Sequence, residues 1–198
     1  TIYIYDEDPE LLDKVNSDKT NNANDSKFAT INITGGEVTN SAKNGCVFKI
    51  QDANVEFNFT NGEIKGNKII DMPVSLRTKQ DVGSNIKINL ENENMEGDIV
   101  LDDTTTLNLY IGEKASYTGT VNGDKLSSFC DITIDNDGTL ELTGESRFRK
   151  FVMENEETTF NNIKAQGAII YYDSHDDAND YLKGETYNLP YGGELRPW

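Results

Sequence analysis

Histidine occurs once and cysteine twice in these 198 residues, and Lys and Arg number 18 against 35 Asp and Glu. Each scarcity excludes something. With His175 as the only histidine, every imidazole-based mechanism must run through it, and no nucleophile motif lies near it in sequence. Cys46 and Cys130 are too few for a disulfide framework and lack zinc-ligand spacing. Cys46 opens the apolar run Cys46-Val47-Phe48 and Cys130 follows Phe129, so both read as core thiols. The formal charge of −17 argues against phosphate backbones, whose binding rests on Lys and Arg. It argues equally against an anionic membrane surface. No apolar run approaches the ~20 residues of a membrane-spanning helix. There is no P-loop or dinucleotide fingerprint. No signal peptide is visible at Thr1, which reads as the start of a mature form or an excised piece. The composition permits a neutral partner, a cationic one or a divalent metal, and otherwise supplies a solvated acidic surface.

What the chain has in quantity is a returning motif. Ile31-Asn32-Ile33-Thr34-Gly35-Gly36-Glu37-Val38 comes back as Phe57-Asn58-Phe59-Thr60-Asn61-Gly62-Glu63-Ile64, then as Ile88-Asn89-Leu90 and Leu107-Asn108-Leu109, and fades into Ile132-Thr133-Ile134 and Leu140-Glu141-Leu142. A period of roughly 20 to 30 residues with several short strands in each unit marks a solenoid. Within a unit the period is two, so Ile31 and Ile33 face one way and Asn32 and Thr34 the other. Gly and Asn fall at the corners, which is the grammar of a β-helix coil. No unit carries the three-and-four apolar spacing of a helical repeat. The rival is an antiparallel sandwich, in which Asp135-Asn136-Asp137-Gly138 would close a hairpin. A sandwich, however, does not require strand and turn chemistry to repeat from unit to unit.

The expected fold is therefore all-β: a right-handed parallel β-helix of about six coils over residues 28–172, with Ile31, Ile33, Phe57, Phe59, Ile88, Leu90, Leu107, Leu109, Ile132 and Ile134 buried and stacked. Residues 1–27 form an N-terminal cap and mobile loop, with a strand near Ile2-Tyr3-Ile4 and a helical turn begun by Asp8-Pro9. Residues 173–198 form a C-terminal cap, because a solenoid must cover its open ends.

Repeats in sequence become rows in space, about 4.8 Å from strand to strand. Asn32, Asn58, Asn89 and Asn108 form one expected outward row, extended by Thr133 or Glu141. Thr34, Thr60, Glu91 and Tyr110 form a second on the same face. Stacked amides bond along the row and offer donors and acceptors to a ligand; Tyr110 adds the flat apolar face that a sugar ring needs. A third row is Glu37, Glu63, Asn94 and Glu113. Two carboxylates about 5 Å apart repel by roughly 1 kcal/mol in water and about 3 at an effective dielectric near 20. That repulsion invites calcium, which takes six to eight oxygens. Thr133-x-Asp135-x-Asp137-Gly138 reads as a tight turn rather than a calcium loop. The Asp173-to-Asp180 stretch reads as a solvated loop.

The run Ala29-Thr30-Ile31-Asn32-Ile33-Thr34-Gly35-Gly36-Glu37-Val38 resembles coils of the carbohydrate-binding parallel β-helix domains of surface and secreted proteins of anaerobic, polysaccharide-degrading bacteria. So do Gly138-Thr139-Leu140-Glu141-Leu142-Thr143-Gly144-Glu145-Ser146 and Asn161-Asn162-Ile163-Lys164-Ala165-Gln166-Gly167. The resemblance implies a polysaccharide-lyase-like fold, binding of calcium and plant-type polysaccharide, no catalysis, and an extracellular or cell-surface location. Only the Gly36-Glu37 turn and its repeat at Gly62-Glu63 match by position. Coil lengths are more irregular here, and aspartates fewer at the turns.

Three functions follow. The first is a non-catalytic polysaccharide-binding domain with Asn32, Asn58, Asn89, Asn108, Thr34, Thr60 and Tyr110 as the sugar face and Glu37 and Glu63 as the metal ligands. The second is a structural solenoid segment of a surface adhesin. The third is a polysaccharide lyase, for which Arg77, Lys79, Arg147, Arg149 and Lys150 are the clustered bases. Glu145, Glu154, Glu156 and Glu157 are expected to pair with the arginines.

Overall fold

Triplets of alternating apolar residues recur down the chain, and the fold stacks them. Val55, Phe57 and Phe59 lie in register with Ile86, Ile88 and Leu90, then with Leu107, Leu109 and Ile111, then with Cys130, Ile132 and Ile134. All twelve are buried. Each such burial is worth about 1.5–3 kcal/mol, and the alternation makes it available only if successive strands keep one register.

The computed structural model describes residues 1–5, 28–51, 53–72, 83–154 and 159–198. The Asp8-Pro9 turn, the polar loop to residue 27, Arg77, Lys79, Glu156 and Glu157 lie outside the described residues. The first coils comprise β1 (Ile2–Tyr5), β2 (Ala29–Asn40), β3 (Cys46–Gln51) and the long, bent β4 (Asn54–Asp71). The middle of the chain forms β5 (Asn85–Glu91), β6 (Asn94–Val100), β7 (Thr106–Ile111), β8 (Ser116–Gly119), β9 (Phe129–Ile134) and β10 (Thr139–Leu142). After these come β11 (Ser146–Phe148), β12 (Lys150–Met153), β13 (Ile163–Lys164), β14 (Ile169–Tyr172), β15 (Tyr187–Asn188) and β16 (Glu194–Pro197).

The pairing is parallel throughout, apart from β15 on β16. One row of strands runs β2–β4–β5–β7–β9–β12, and a second runs from the far half of β4 through β6, β8 and β10 to β13. Both belong to one curled twelve-stranded sheet; β11, β14, β16 and β15 make a second, four-stranded sheet. The second row carries its own inward stack: Val38, Ile64, Met95, Tyr117, Leu140 and Ile163. The strands either side of Asp135–Gly138 do not pair with each other: β9 joins β7 and β12, while β10 joins β8 and β13. The hairpin alternative is thereby removed, and Asp135 closes a simple turn, its Oδ1 accepting from Asp137 N at 3.0 Å.

Ile31 and Ile33, expected to be buried, are only half-buried. Among the described residues their strand β2 pairs with β4 alone, so the described strands cover the inward side chains of this outer coil from one side. Phe48 packs with ring centroids 4.7 Å from Phe57 and 5.8 Å from Phe59. Cys46 and Cys130 are buried free thiols, and burial pushes the Cys130 thiol well up.

One corner depends on glycine. Gly97 sits at φ +139, and a Cβ there would lie 2.2 Å from the Gly66 carbonyl; at Gly119 the corresponding distance to Gly97 O is 2.3 Å. The coils close up at this corner because no side chain intervenes. At the C-terminal end a 3-10 helix (Asp177–Leu182), capped by Asp176, presents the buried Asn179. Its side chain accepts from Phe151 N and donates to the carbonyls of Arg149 and Asp173, tying the helix to the last coil of the first row.

Candidate functional site

The outward residues of β4, β5, β7 and β9 follow from the same alternation that buries their neighbours. Two polar rows result. Asn32, Asn58, Asn89, Tyr110 and Thr133 make one; Thr30, Glu56, Lys87, Asn108 and Asp131 make the other. The β5, β7 and β9 members of both rows, with Glu56 of β4, line a groove with room of about 290 Å³, bordered by Glu56, Lys87, Asn89, Asn108, Tyr110 and Asp131 among others.

Of the expected sugar face, Asn89, Asn108 and Tyr110 border the groove, while Asn32, Asn58, Thr34 and Thr60 lie outside its lining. Asn108 does not continue the amide row. Leu107 pairs with Ile86, so Asn108 lies beside Lys87, and Tyr110 takes the place next to Asn89. The apolar–Asn–apolar motif allows two frames on β7, and matching its asparagine selects the wrong one. The full triplet Leu107, Leu109, Ile111 is the signal that finds the right one, because only that frame stacks all three on Ile86, Ile88 and Leu90. Thr133, not Glu141, extends the amide row; Glu141 belongs to β10 in the second row. Thr34 and Thr60 are neighbours, with Thr60 Oγ1 donating to Thr34 Oγ1 at 3.1 Å, and Glu91 pairs with Thr60. The residues the motif missed are Glu56, Lys87 and Asp131, all three on the groove.

The amides are joined to one another. Asn58 Nδ2 donates to Asn32 Oδ1 at 2.9 Å, and Asn89 Nδ2 to Asn58 Oδ1 at 2.8 Å. Asn89 Nδ2 also reaches Glu56 Oε1 at 3.3 Å. Each amide in the chain keeps acceptor or donor capacity beyond these bonds. Tyr110 is half-buried. Burial, and then the Glu154, Glu91 and Asp135 carboxylates, push its hydroxyl up to about 12. It is therefore a neutral hydroxyl with a partly open ring. Lys87 Nζ lies 4.3 Å over the Phe28 ring. Asp131, at the far end, is held by Arg149, whose Nε donates to Oδ1 at 2.8 Å and whose Nη2 donates to Oδ2.

That pair corrects the expected arginine partners: Arg149 binds Asp131 and lies 3.9 Å from Asp176, while Glu145 binds Lys125 at 2.7 Å. Arg147 stacks on Trp198, its guanidinium carbon 3.5 Å from the ring centroid. His175 is exposed, with Nδ1 3.4 Å from Asp173, and does not line the groove.

Glu37 and Glu63 are in-register neighbours on β2 and β4, followed by Asn94, as the repeat predicts. The fourth place goes to Ser116 instead of Glu113, because Ser116 pairs with Asn94 and its Oγ donates to Asn94 Oδ1 at 2.7 Å. Glu37 accepts from Thr39 Oγ1 at 2.7 Å. Lys65 lies in the field of both carboxylates while binding Glu96. Among the described residues no three or more His, Cys, Asp or Glu side chains converge as a metal-binding group. No described helix is long and apolar enough to cross a membrane. No family model, curated protein or solved structure matches this chain.

Proposed function

We propose that the chain is a non-catalytic polysaccharide-binding domain of a secreted or cell-surface protein, built as a single closed, right-handed parallel β-helix. The observation that carries this reading is the groove on β4, β5, β7 and β9, where an amide row runs into a half-buried tyrosine. A neutral sugar asks for that combination: an apolar ring face from Tyr110, and hydroxyl partners from Asn58, Asn89, Asn108 and Thr133. Lys87, Glu56 and Asp131 add charge-assisted partners for hydroxyl groups. Thr34 and Thr60 extend the polar surface toward the first coil.

Calcium enters this reading at Glu37 and Glu63 alone. Two carboxylates on adjacent strands supply part of its oxygen shell, and Lys65 has to give way to it.

A scaffold role in an adhesin is the second reading, and one observation favours it: Asn32, Asn58 and Asn89 already bond one another along the row. Glycan-array binding with and without calcium separates the two. Retention of a neutral polysaccharide that falls in Asn89→Leu and Tyr110→Ala supports the binding domain. Absence of binding to every glycan supports the scaffold. A lyase would need a free base beside its substrate, and Arg149 is committed to Asp131. Ultraviolet absorbance of new double bonds in polygalacturonate or alginate, lost in Arg147→Ala or Arg149→Ala, would promote the enzyme reading.

A further inference from the structure

The four-stranded sheet carries a second surface whose charge is opposite to that of the protein. Its outward row is Arg147 on β11, Tyr171 on β14 and Arg196 on β16, in register. Lys125 Nζ lies 4.4 Å over the Tyr171 ring. Trp198, 40% exposed, stacks on the Arg147 guanidinium and donates Nε1–H to Phe148 O at 3.3 Å. Two carboxylates belong to the cluster: Glu145 pairs with Lys125 and Glu194 with Arg196. Three cations against two carboxylates leave a net positive patch on a chain of formal charge −17.

Arg147 is the cation left over. It makes no ion pair among the described residues. Its Nε is buried with no hydrogen-bond partner, and its Nη1 reaches only the Lys125 carbonyl, at 3.5 Å. The Trp198 ring restrains the guanidinium from one face, and its Nη2 donors are left for an oxyanion. Arg196, two strand spacings or about 10 Å along the row, borders a hollow of about 400 Å³ whose wall includes Ile169, Leu189, Asn188, Gly193 and Glu194. Cation, aromatic ring and a mixed polar and apolar hollow thus follow one another across one sheet face.

We propose that this face binds an acidic polysaccharide, with Arg147 taking a carboxylate or sulfate of the polymer and a sugar unit lying over Ile169 toward Arg196. Separated cations flanking a partly apolar strip suit an extended polymer whose anions recur along its length. The overall negative charge does not forbid this, because at physiological ionic strength fields are screened over about 8 Å and the polymer meets the local patch. The site is independent of the amide groove on the twelve-stranded sheet.

The test is retention on polygalacturonate, dextran sulfate and unsubstituted dextran, in affinity electrophoresis at low and physiological salt. The expected result is binding to one or both acidic polymers and not through the patch to dextran, weakening with salt. Removing a charged hydrogen-bond donor should weaken it about 10- to 100-fold in Arg147→Gln. Arg196→Gln, a surface change whose fold is checked by circular dichroism, should weaken it less. Binding to polygalacturonate alone assigns a carboxylate, and to dextran sulfate alone a sulfate. Asn89→Leu should leave acidic-polymer binding unchanged, so failure of the groove reading and failure of this one are distinguishable. Equal retention by poly-glutamate, or acidic-polymer binding that persists in folded Arg196→Gln and Arg147→Gln, overturns the proposal, as does no binding to either acidic polymer.

Discussion

Asn89 and Tyr110 are in-register neighbours on β5 and β7, so the amide row ends on an aromatic ring. That junction places a stacking surface one strand from a chain of amides. On the proposed reading, Tyr110→Ala and Asn89→Leu each weaken neutral-glycan binding. Loss of one aromatic contact or one amide partner is worth about 1 kcal/mol or more, or roughly fivefold in Kd. Titration calorimetry on the best array ligand measures it, and unchanged Kd in both variants moves the site elsewhere.

Gly97→Ala is expected to destabilise the protein. Its φ of +139 and the Gly66 carbonyl 2.2 Å from the would-be Cβ leave a side chain neither conformation nor space. Strained backbone of this kind costs on the order of 1–3 kcal/mol, before the displacement of the coil is added. Denaturant melts of the two proteins should show the midpoint falling with little change in slope.

Glu93 makes stability depend on pH. Burial raises its carboxyl above the ordinary 4.5; the Gly62 N–H, donating to Oε2 at 2.6 Å, opposes this, and the Glu63 charge adds to it. The fold therefore favours the protonated form. Its contribution is complete below the unfolded pKa and is lost as pH rises through the folded one. Glu93→Gln keeps an acceptor for Gly62 without the charge. Relative to this variant, the wild type should lose melting temperature as pH climbs from about 4 to 8, levelling off above the folded pKa. A constant difference across that range contradicts the assignment.

Arg149→Ala breaks the two-bond pair with Asp131. The side chains are 28% and 12% exposed, between the exposed pairs worth under about 1 kcal/mol and the buried ones whose breaking costs about 3–5. A loss of roughly 1–3 kcal/mol is expected, with Asp131 left under-satisfied. Asp131→Asn/Arg149→Ala should recover part of it, and a double-mutant cycle by thermal unfolding measures the coupling.

If calcium bridges Glu37 and Glu63, millimolar calcium raises the melting temperature above that in chelator. The gain is about 2.7 kcal/mol at a hundredfold excess over Kd, and Glu63→Gln abolishes it. Coincident melting curves remove calcium from the proposed function.

Local chemistry alone determined much of this protein. Alternation in Ile86-x-Ile88-x-Leu90 and its counterparts specifies strands with one dry face, and the return of that pattern with Gly and Asn corners specifies parallel stacking instead of hairpins. The in-register Glu37–Glu63 and Asn32–Asn58–Asn89 rows follow directly, because those coils repeat residue for residue. Register across unequal coils was not legible in this way. Between β5 and β7 the repeat shortens, two frames match equally well locally, and stacking of Leu107, Leu109 and Ile111 on the full triplet Ile86, Ile88 and Leu90 goes with the one that places Tyr110 beside Asn89 and Asn108 beside Lys87. The partners of Arg147 and Arg149 were equally hidden. Nearby carboxylates in sequence suggested one set, but a solenoid brings together residues one coil apart. Arg149 therefore meets Asp131 on the preceding rung, and Arg147 meets Trp198, about fifty residues on, through the chain's return to the same sheet. Sequence proximity governs strands and turns; which charged groups neutralise one another, and that Arg147 is left without an ion pair among the described residues, is decided only when the coils stack.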